Sequence, residues 1–421
     1  MAVGTATLLG CKNGNEAKSL TFDPASLGTM TYGKNPKTGD NVSLLGYGMM
    51  RLPMMEKVKE DDPDVIDQEQ VNHLVSEALK YGVNYFDTSP VYCQGHSEES
   101  TGIALSKHKR EDFFVATKLS NFDPSVQSFE GSRQMYLNSF KNLQVDYLDY
   151  YLLHAIGGSV DDFKHRFVDN GILDYLLKER ETGKIRNLGF SFHGQTAVFD
   201  YLMELHATYH WDFVQIQMNY FDWLSNPQTQ HIYESLLAHS IPIIIMEPLL
   251  GGRLANVPTN LAKEMKQREP DRSIASWAFR FCGSKLGVLT ALSGMTYLEH
   301  LQDNLMSFCP LKPLTNEDFN FLHHITEEMM SNPRIPCTGC QYCMPCPYGL
   351  DIPGIFSYYN KHKDTPENFL EGYNTDIPLI RQADHCIGCG KCMTHCPQQI
   401  SIPEQMLEID KFVEKIKQGK I

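Results

Sequence analysis

The chain has 421 residues, 42% hydrophobic and 21% charged, with a net charge of -14. That length allows one large domain and a small one, with the composition of an ordinary globular protein. The acidic balance argues against nucleic acid or anionic membranes as partners, and the most apolar run, Ile241 to Leu250, is about ten residues where a transmembrane span needs roughly 20.

Residues 1–27 read as a flexible lead-in, polar from Asn13 onward. Leu8 to Cys11 resembles the end of a bacterial lipoprotein signal, but no basic region precedes it. Two readings stay open. One is a frayed terminus on a cytoplasmic protein. The other is an exported protein lipid-anchored through Cys11, with its true start upstream.

Met30 to Val42 predicts a β-hairpin with Pro36 and Gly39 at its turn. A strand over Ser43 to Met50 follows, then Arg51-Leu-Pro53 and a charged loop from Lys57 to Asp67. From there helix and strand alternate. The spacing of Val71, Leu74, Val75, Ala78 and Leu79 predicts a helix over Gln68 to Lys80. Further helices are expected at Ser97–Ser106, Gly131–Leu143, Ile172–Glu181, Thr196–His206, Gln228–His239, Asp271–Phe281 and Leu298–Phe308. Strands are expected at Val83–Asp87, Phe113–Lys118, Tyr147–His154, Ile185–Ser191, Phe213–Gln217, Pro242–Met246 and Gly287–Leu292.

With Ser43 to Met50 this makes eight strands, and the alternation implies a parallel sheet. Eight repeats in this length suit a closed (β/α)8 TIM barrel of about 250 residues. An open doubly wound sheet would carry Gly-x-Gly-x-x-Gly after its first strand, and Leu45-Gly-Tyr-Gly-Met-Met does not supply it. The hairpin would plug the barrel's floor. Residues 28–312 are assigned to the barrel and 313–421 to a second domain.

Three expected strands end on ionisable groups. Gly82 stops a helix, and the next strand ends on Asp87, with Tyr92 in the following loop. The others end on Lys118 and His154. Asp after a strand often only caps a turn, and each of these residues alone is more often structural than catalytic. In a parallel barrel, however, the C-terminal strand ends are where chemistry sits. Reduction of a carbonyl by hydride leaves an oxyanion that needs a proton and charge stabilisation. Tyr92 can give the proton, but a phenol with a pKa of about 10 is a weak acid. A neighbouring Lys118 would lower that pKa, Asp87 would anchor Lys118, and His154 would orient the carbonyl.

These residues, in Gly82-Val-Asn-Tyr-Phe-Asp-Thr-Ser-Pro-Val-Tyr92, Ala116-Thr-Lys118 and Leu152-Leu-His154, resemble the aldo-keto reductases over about Met30 to Phe308. The resemblance implies an eight-stranded barrel, a proton relay of Asp87, Tyr92, Lys118 and His154, and nicotinamide nucleotide bound without a Rossmann motif. It places Gln215 and Ser191 on the nicotinamide amide, and Met50 among the cofactor contacts. It also makes Pro248, Leu249, Gly251 and Arg253 a pyrophosphate loop, and sets Ser293, Gly294 and Asn304 at the ribose-phosphate and adenine end. Met246 stands where the family stacks a Tyr. Gly294 and His300 stand where it holds cations for the 2′-phosphate, so NADH suits the chain at least as well as NADPH.

Of 12 cysteines, eight lie between Cys337 and Cys396. The run Cys386, Cys389, Cys392, Cys396-Pro397 matches the bacterial [4Fe–4S] pattern. The run Cys337, Cys340, Cys343, Cys346-Pro347 is one residue shorter before its last cysteine. In two-cluster ferredoxins the fourth cysteine of each run serves the other cluster. That rule pairs Cys337, Cys340, Cys343 with Cys396, and Cys386, Cys389, Cys392 with Cys346. Two structural zinc sites are the competing reading. The long gap between the runs, with helical patterns at Ile352–Lys361 and Ser401–Lys417, resembles α-helical two-cluster ferredoxins. Such a domain appended to an aldo-keto reductase barrel is a recognised subgroup. Cys93 is either pocket wall or, more simply, a partly buried bystander.

Three functions remain open from the residues. The chain is a carbonyl reductase or alcohol dehydrogenase, an electron-transfer module serving a redox partner protein, or a reductase whose clusters only hold a domain together. Hydride moves two electrons together and each cluster moves one; a flavin usually bridges the two, and no flavin motif is present. The substrate, a small carbonyl or alcohol, is selected by loops such as Ala155–Lys164 and Phe221–Asn226.

Overall fold

The computed structural model describes residues 22–57 and 63–420. The expectations for residues 1–21, Cys11 included, and for the middle of the charged loop lie outside the described residues.

A hairpin of β1 (Tyr32–Lys34) and β2 (Asn41–Ser43) precedes the main sheet. That sheet holds β3 (Leu45–Gly48), β4 (Tyr85–Asp87), β5 (Phe114–Leu119), β6 (Leu148–Ile156), β7 (Ile185–Phe192), β8 (Val214–Gln217), β9 (Ile243–Met246) and β10 (Val288–Ser293). All pair in parallel in chain order, and β10 closes on β3 to complete the barrel. The predicted strand Ser43–Met50 is therefore two strands. The chain breaks at Leu44, whose N–H bonds Thr31 and whose carbonyl accepts from Ala291, as the floor turns into the wall.

The hairpin does close the floor. Asn35, buried at its turn, donates to the Tyr150 hydroxyl at 3.0 Å and to Asn187 at 3.3 Å. Above it lies an inner cluster of Val42, Tyr85, Tyr150, Phe213, Ile244 and Leu289. The outer helices begin where polar caps satisfy their first N–H groups: Asp67 for Gln68–Lys80, Ser128 for Phe129–Leu143 and Ser273 for Ile274–Gly283. Val71, Leu74, Val75 and Ala78 are buried as the spacing requires.

Two expectations need correction. Residues 22–27 are not a loose lead-in: Phe22 packs edge-on against Tyr81 with centroids 5.8 Å apart, and Asp23 caps a turn at Pro24–Ser26. A helix over Asn316–Ser331, absent from the sequence reading, opens with a reciprocal cap between Thr315 and Asp318. Its Leu322, Ile325 and Met329 are buried in the barrel's own core. Asp318 also accepts from Arg268 at 2.8 Å. We therefore draw the boundary between the two units after Ser331 rather than at 312.

The second unit has a separate core around Ile352, Ile355, Phe356, Phe369, Met406 and Ile409. Helices Ile352–His362, Pro366–Asp376 and Ile402–Lys417 build it. Among the described residues, no helix is long and apolar enough to cross a membrane.

Candidate active site and cysteine centres

The sheet register brings the predicted quartet together. Asp87 on β4 pairs with Ala116 on β5, and strand alternation puts Lys118 on the same inward face as Ala116. The Lys118 ammonium donates to Asp87 Oδ1 at 2.5 Å and to the Thr88 carbonyl at 2.7 Å. It stands 4.8 Å from the centre of the Tyr92 ring. Tyr92 in turn meets His154 at 5.9 Å between ring centroids. On the far side of His154, Nδ1 is 2.5 Å from Ser120 Oγ and 3.4 Å from Ser89 Oγ. With Ser120 donating there, Nε2 keeps the ring proton and faces the pocket.

Burial dominates the electrostatics. It raises Asp87 and lowers Lys118, while their mutual attraction opposes both shifts. It holds His154 far below its usual range, with Lys118 adding to the effect, so the imidazole is neutral. Tyr92 departs from expectation: its phenol is raised, first by burial and then by Tyr342 and Asp87. Burial outweighs any help from Lys118 here, and the nearby Asp87 carboxylate pushes the phenol the same way as burial does. Tyr92 is thus held as a protonated donor.

A cavity of about 760 Å³ joins these groups to the expected nucleotide site. Asp87, Tyr92 and His154 line it, as do Met50, Ser191, Gln215, Met246, Pro248, Leu249, Gly251, Ser293, Gly294 and Asn304. Ser191 on β7 pairs directly with Gln215 on β8. Gln215 Nε2 reaches Asp87 at 3.4 Å, while its Oε1 is buried with no partner. A carboxamide N–H would satisfy that orphaned acceptor, so the pair fits a nicotinamide amide. At the other end Asn304 donates to Ser293 Oγ at 2.9 Å.

Two features depart from the expected nucleotide site. Arg253 is not in the cavity wall; its guanidinium lies 5.5 Å from the Phe221 ring and is drawn towards Asp222. In the presumed pyrophosphate loop, Glu247 accepts from the Gly251 N–H at 2.6 Å. Gly251 is in the left-handed region, φ 66°, and a side chain there would run into Thr338 of the second unit, 2.5 Å from its Cα.

The cysteines form two sets. Cys337, Cys340, Cys343 and Cys396 line one small cavity with Ile352, Phe356 and Ile400. Burial and the neighbouring thiols of Cys340, Cys337 and Cys396 push Cys343 up to about 12. Cys386, Cys389 and Cys346 crowd Cys392 in the same way. Each set therefore draws its fourth member from the other run. No disulfide joins any cysteine among the described residues. The donor chemistry, four soft thiols in each set, fits a [4Fe–4S] cluster. Cys93 lies outside the pocket wall, with its Sγ against the Met50 carbonyl at 3.4 Å.

The second unit sits on the barrel mouth. Arg51 donates to the Thr338 carbonyl at 2.6 Å. Gln217 and Gln398 pair through reciprocal amide bonds of 3.1 and 2.8 Å. Cys340 and Gln398 line both the barrel cavity and the cavity of the first cysteine set. Tyr342, between two of those cysteines, reaches Tyr92 side chain to side chain. Sequence reasoning missed Arg51, Thr338, Gln217, Gln398 and Tyr342, and also His193 and Glu247 in the same wall. His193 follows Ser191 by two positions at a strand end, so alternation was a usable signal. Tyr342 offered none.

Comparison with known proteins agrees with this geometry. The model of the Aldo/keto reductase family matches residues 44–327, and that of a 4Fe-4S dicluster domain matches residues 336–400. The uncharacterized oxidoreductase YqkF of Bacillus subtilis is 24% identical over 61% of this chain and 87% of its own. L-galactose dehydrogenase of Arabidopsis thaliana is 33% identical over 37% of this chain and 46% of its own, less than half its length. Among solved structures, aldo-keto reductase AKR11C1 from Bacillus halodurans (holo form) superposes with a TM-score of 0.57 at 22% identity, covering 70% of this chain and 96% of its own. The aldo-keto reductase from Klebsiella pneumoniae in complex with NADPH gives 0.55 at 20%, covering 71% and 95%.

Proposed function

We propose, since this chain belongs to the aldo/keto reductase family and carries a 4Fe-4S dicluster domain, that it moves hydride between NAD(P)H and a small carbonyl or alcohol, and that its two clusters, set against the same cavity, exchange single electrons with a redox partner protein in a reaction separate from that hydride transfer. The observation that carries the reading is Cys340. It stands in the wall of the cavity that holds Asp87, Tyr92 and His154, and also in the wall of the first cysteine set.

When bound, the nicotinamide supplies or accepts the hydride and the clusters carry single electrons. The residues do the rest. Tyr92 holds its proton until charge develops on the carbonyl oxygen. His154 Nε2 donates a hydrogen bond that fixes that oxygen, because Ser120 occupies Nδ1. The Lys118–Asp87 pair gives a fixed dipole beside the phenol at no reorganisation cost. Gln215 and Ser191 stand ready for an amide. The ligand sets for the two clusters are Cys337, Cys340, Cys343 with Cys396, and Cys386, Cys389, Cys392 with Cys346.

The Klebsiella enzyme's NADPH supports the phosphorylated cofactor, whereas Glu299, His300 and Asp303 at the far end of the cavity support NADH. Titration of anaerobically purified protein with both nucleotides decides between them. Tyr92→Phe should lower carbonyl turnover by roughly 10²–10⁴ with the cluster absorbance intact; wild-type turnover in that variant defeats the reductase reading. Clusters that resist reduction at every accessible potential would leave them a structural role only.

A further inference from the structure

Tyr342 belongs to the first cysteine loop, two residues after Cys340 and immediately before Cys343. Its side chain nevertheless lies in the barrel. The ring stands edge-on to His154, centroids 6.3 Å apart at 83°, and leans on Phe122 at 6.2 Å. Its hydroxyl lies beside that of Tyr92, and it lines the same cavity. Phe122 packs on His154 from below at 5.0 Å. His154, Phe122 and Tyr342 thus form one three-ring cluster, with one ring delivered by the other unit.

We propose that Tyr342 is a substrate-positioning and specificity-determining residue of the barrel site. This rests on the reductase reading above. Tyr92 and His154 must both address one carbonyl oxygen, and Tyr342 touches both, so its ring closes the space where the substrate's substituents extend. Its hydroxyl lies beside the phenol that gives the proton and limits how far that phenol can swing. The ring and the hydroxyl thus do separable work. The ring limits the size of the substrate, and the hydroxyl orients Tyr92.

The test uses full-length, anaerobically purified holoenzyme with Tyr342→Phe and Tyr342→Ala, assayed on small aliphatic and bulky aromatic aldehydes. Tyr342→Phe should keep KM within about twofold and lower kcat about tenfold, the loss of one orienting contact on Tyr92. Tyr342→Ala should raise KM for the small aldehyde and shift the bulky-to-small ratio of kcat/KM upward by tenfold or more. A readout independent of turnover is hydrogen exchange of the loop over residues 88–96. It should stay protected in Tyr342→Phe and lose protection in Tyr342→Ala, with the visible cluster spectrum unchanged in both. Wild-type kcat, KM and specificity in both variants overturn the proposal, as does loss of cluster absorbance in Tyr342→Phe, which would make the residue a prop for the cysteine loop. If wild-type enzyme reduces no aldehyde, the reductase reading fails, and unchanged exchange in Tyr342→Ala separately defeats the positioning role.

Discussion

Lys118 and Asp87 are each almost wholly removed from solvent, and neither is affordable without the other. Removing one partner of a buried pair leaves an uncompensated charge, a loss of about 3–5 kcal/mol. Asp87→Asn should therefore lower the urea midpoint strongly, and Lys118→Met comparably, whereas Tyr92→Phe should leave it nearly unchanged. A pH dependence follows from His193, whose imidazole burial holds down at about 4, with Lys118 adding to the effect. In the unfolded chain it titrates near 6.5. Between those values the unfolded chain binds a proton that the folded chain does not. Stability should then be level above about 6.5 and fall as the pH drops towards about 4. His154 acts in the same direction. Urea midpoints at pH 7 and pH 5 measure the slope, and His193→Gln should reduce it. The quartet was legible in the sequence because four different chemistries recur at strand ends. Tyr342 was not, because a residue between cluster cysteines carries no pattern that says where it points.

The elements explain how much tolerance surrounds the site. The helix Ser97–Leu105, just after the Tyr92 loop, packs on Phe129–Leu143 so closely that a side chain at Gly102 would lie 2.2 Å from the Asn142 carbonyl oxygen. Backbone is the obstacle, so it cannot move aside cheaply. Gly102→Ala should cost about 1–3 kcal/mol, read as a lower melting temperature, and should reduce turnover through the loop that carries Tyr92. Helix periodicity predicted most of these elements within a few residues. The strand at Ser43–Met50 was misread because one apolar run serves two directions, floor and wall. The helix Asn316–Ser331 was overlooked although Thr315-x-x-Asp318 is a helix-start signature, because the cysteine-rich composition beyond it drew the boundary too early.

At the scale of the whole molecule the two units differ in what holds them. The barrel buries a large continuous core, whereas the second unit has few buried side chains and many cysteines. Small domains of this kind draw folding energy from their metals. Calorimetry of the intact protein should show two transitions. Anaerobic chelation should abolish the one belonging to residues beyond Ser331 and leave the barrel's transition within a few degrees. If instead both collapse together, the contacts made by Arg51, Gln217 and Tyr342 bind the units more tightly than their area suggests.

The exchange of fourth cysteines between the runs has a genetic corollary. Cys396 closes the set begun at Cys337, and Cys346 completes the one that follows it. A premature stop or frameshift between Cys346 and Cys392 does not yield a protein with one complete ligand set. It breaks both at once, and an insertion in the intervening helices would strain both equally. Selection therefore sees this segment as a single indivisible unit, and any evolutionary loss of the centres should be of the pair.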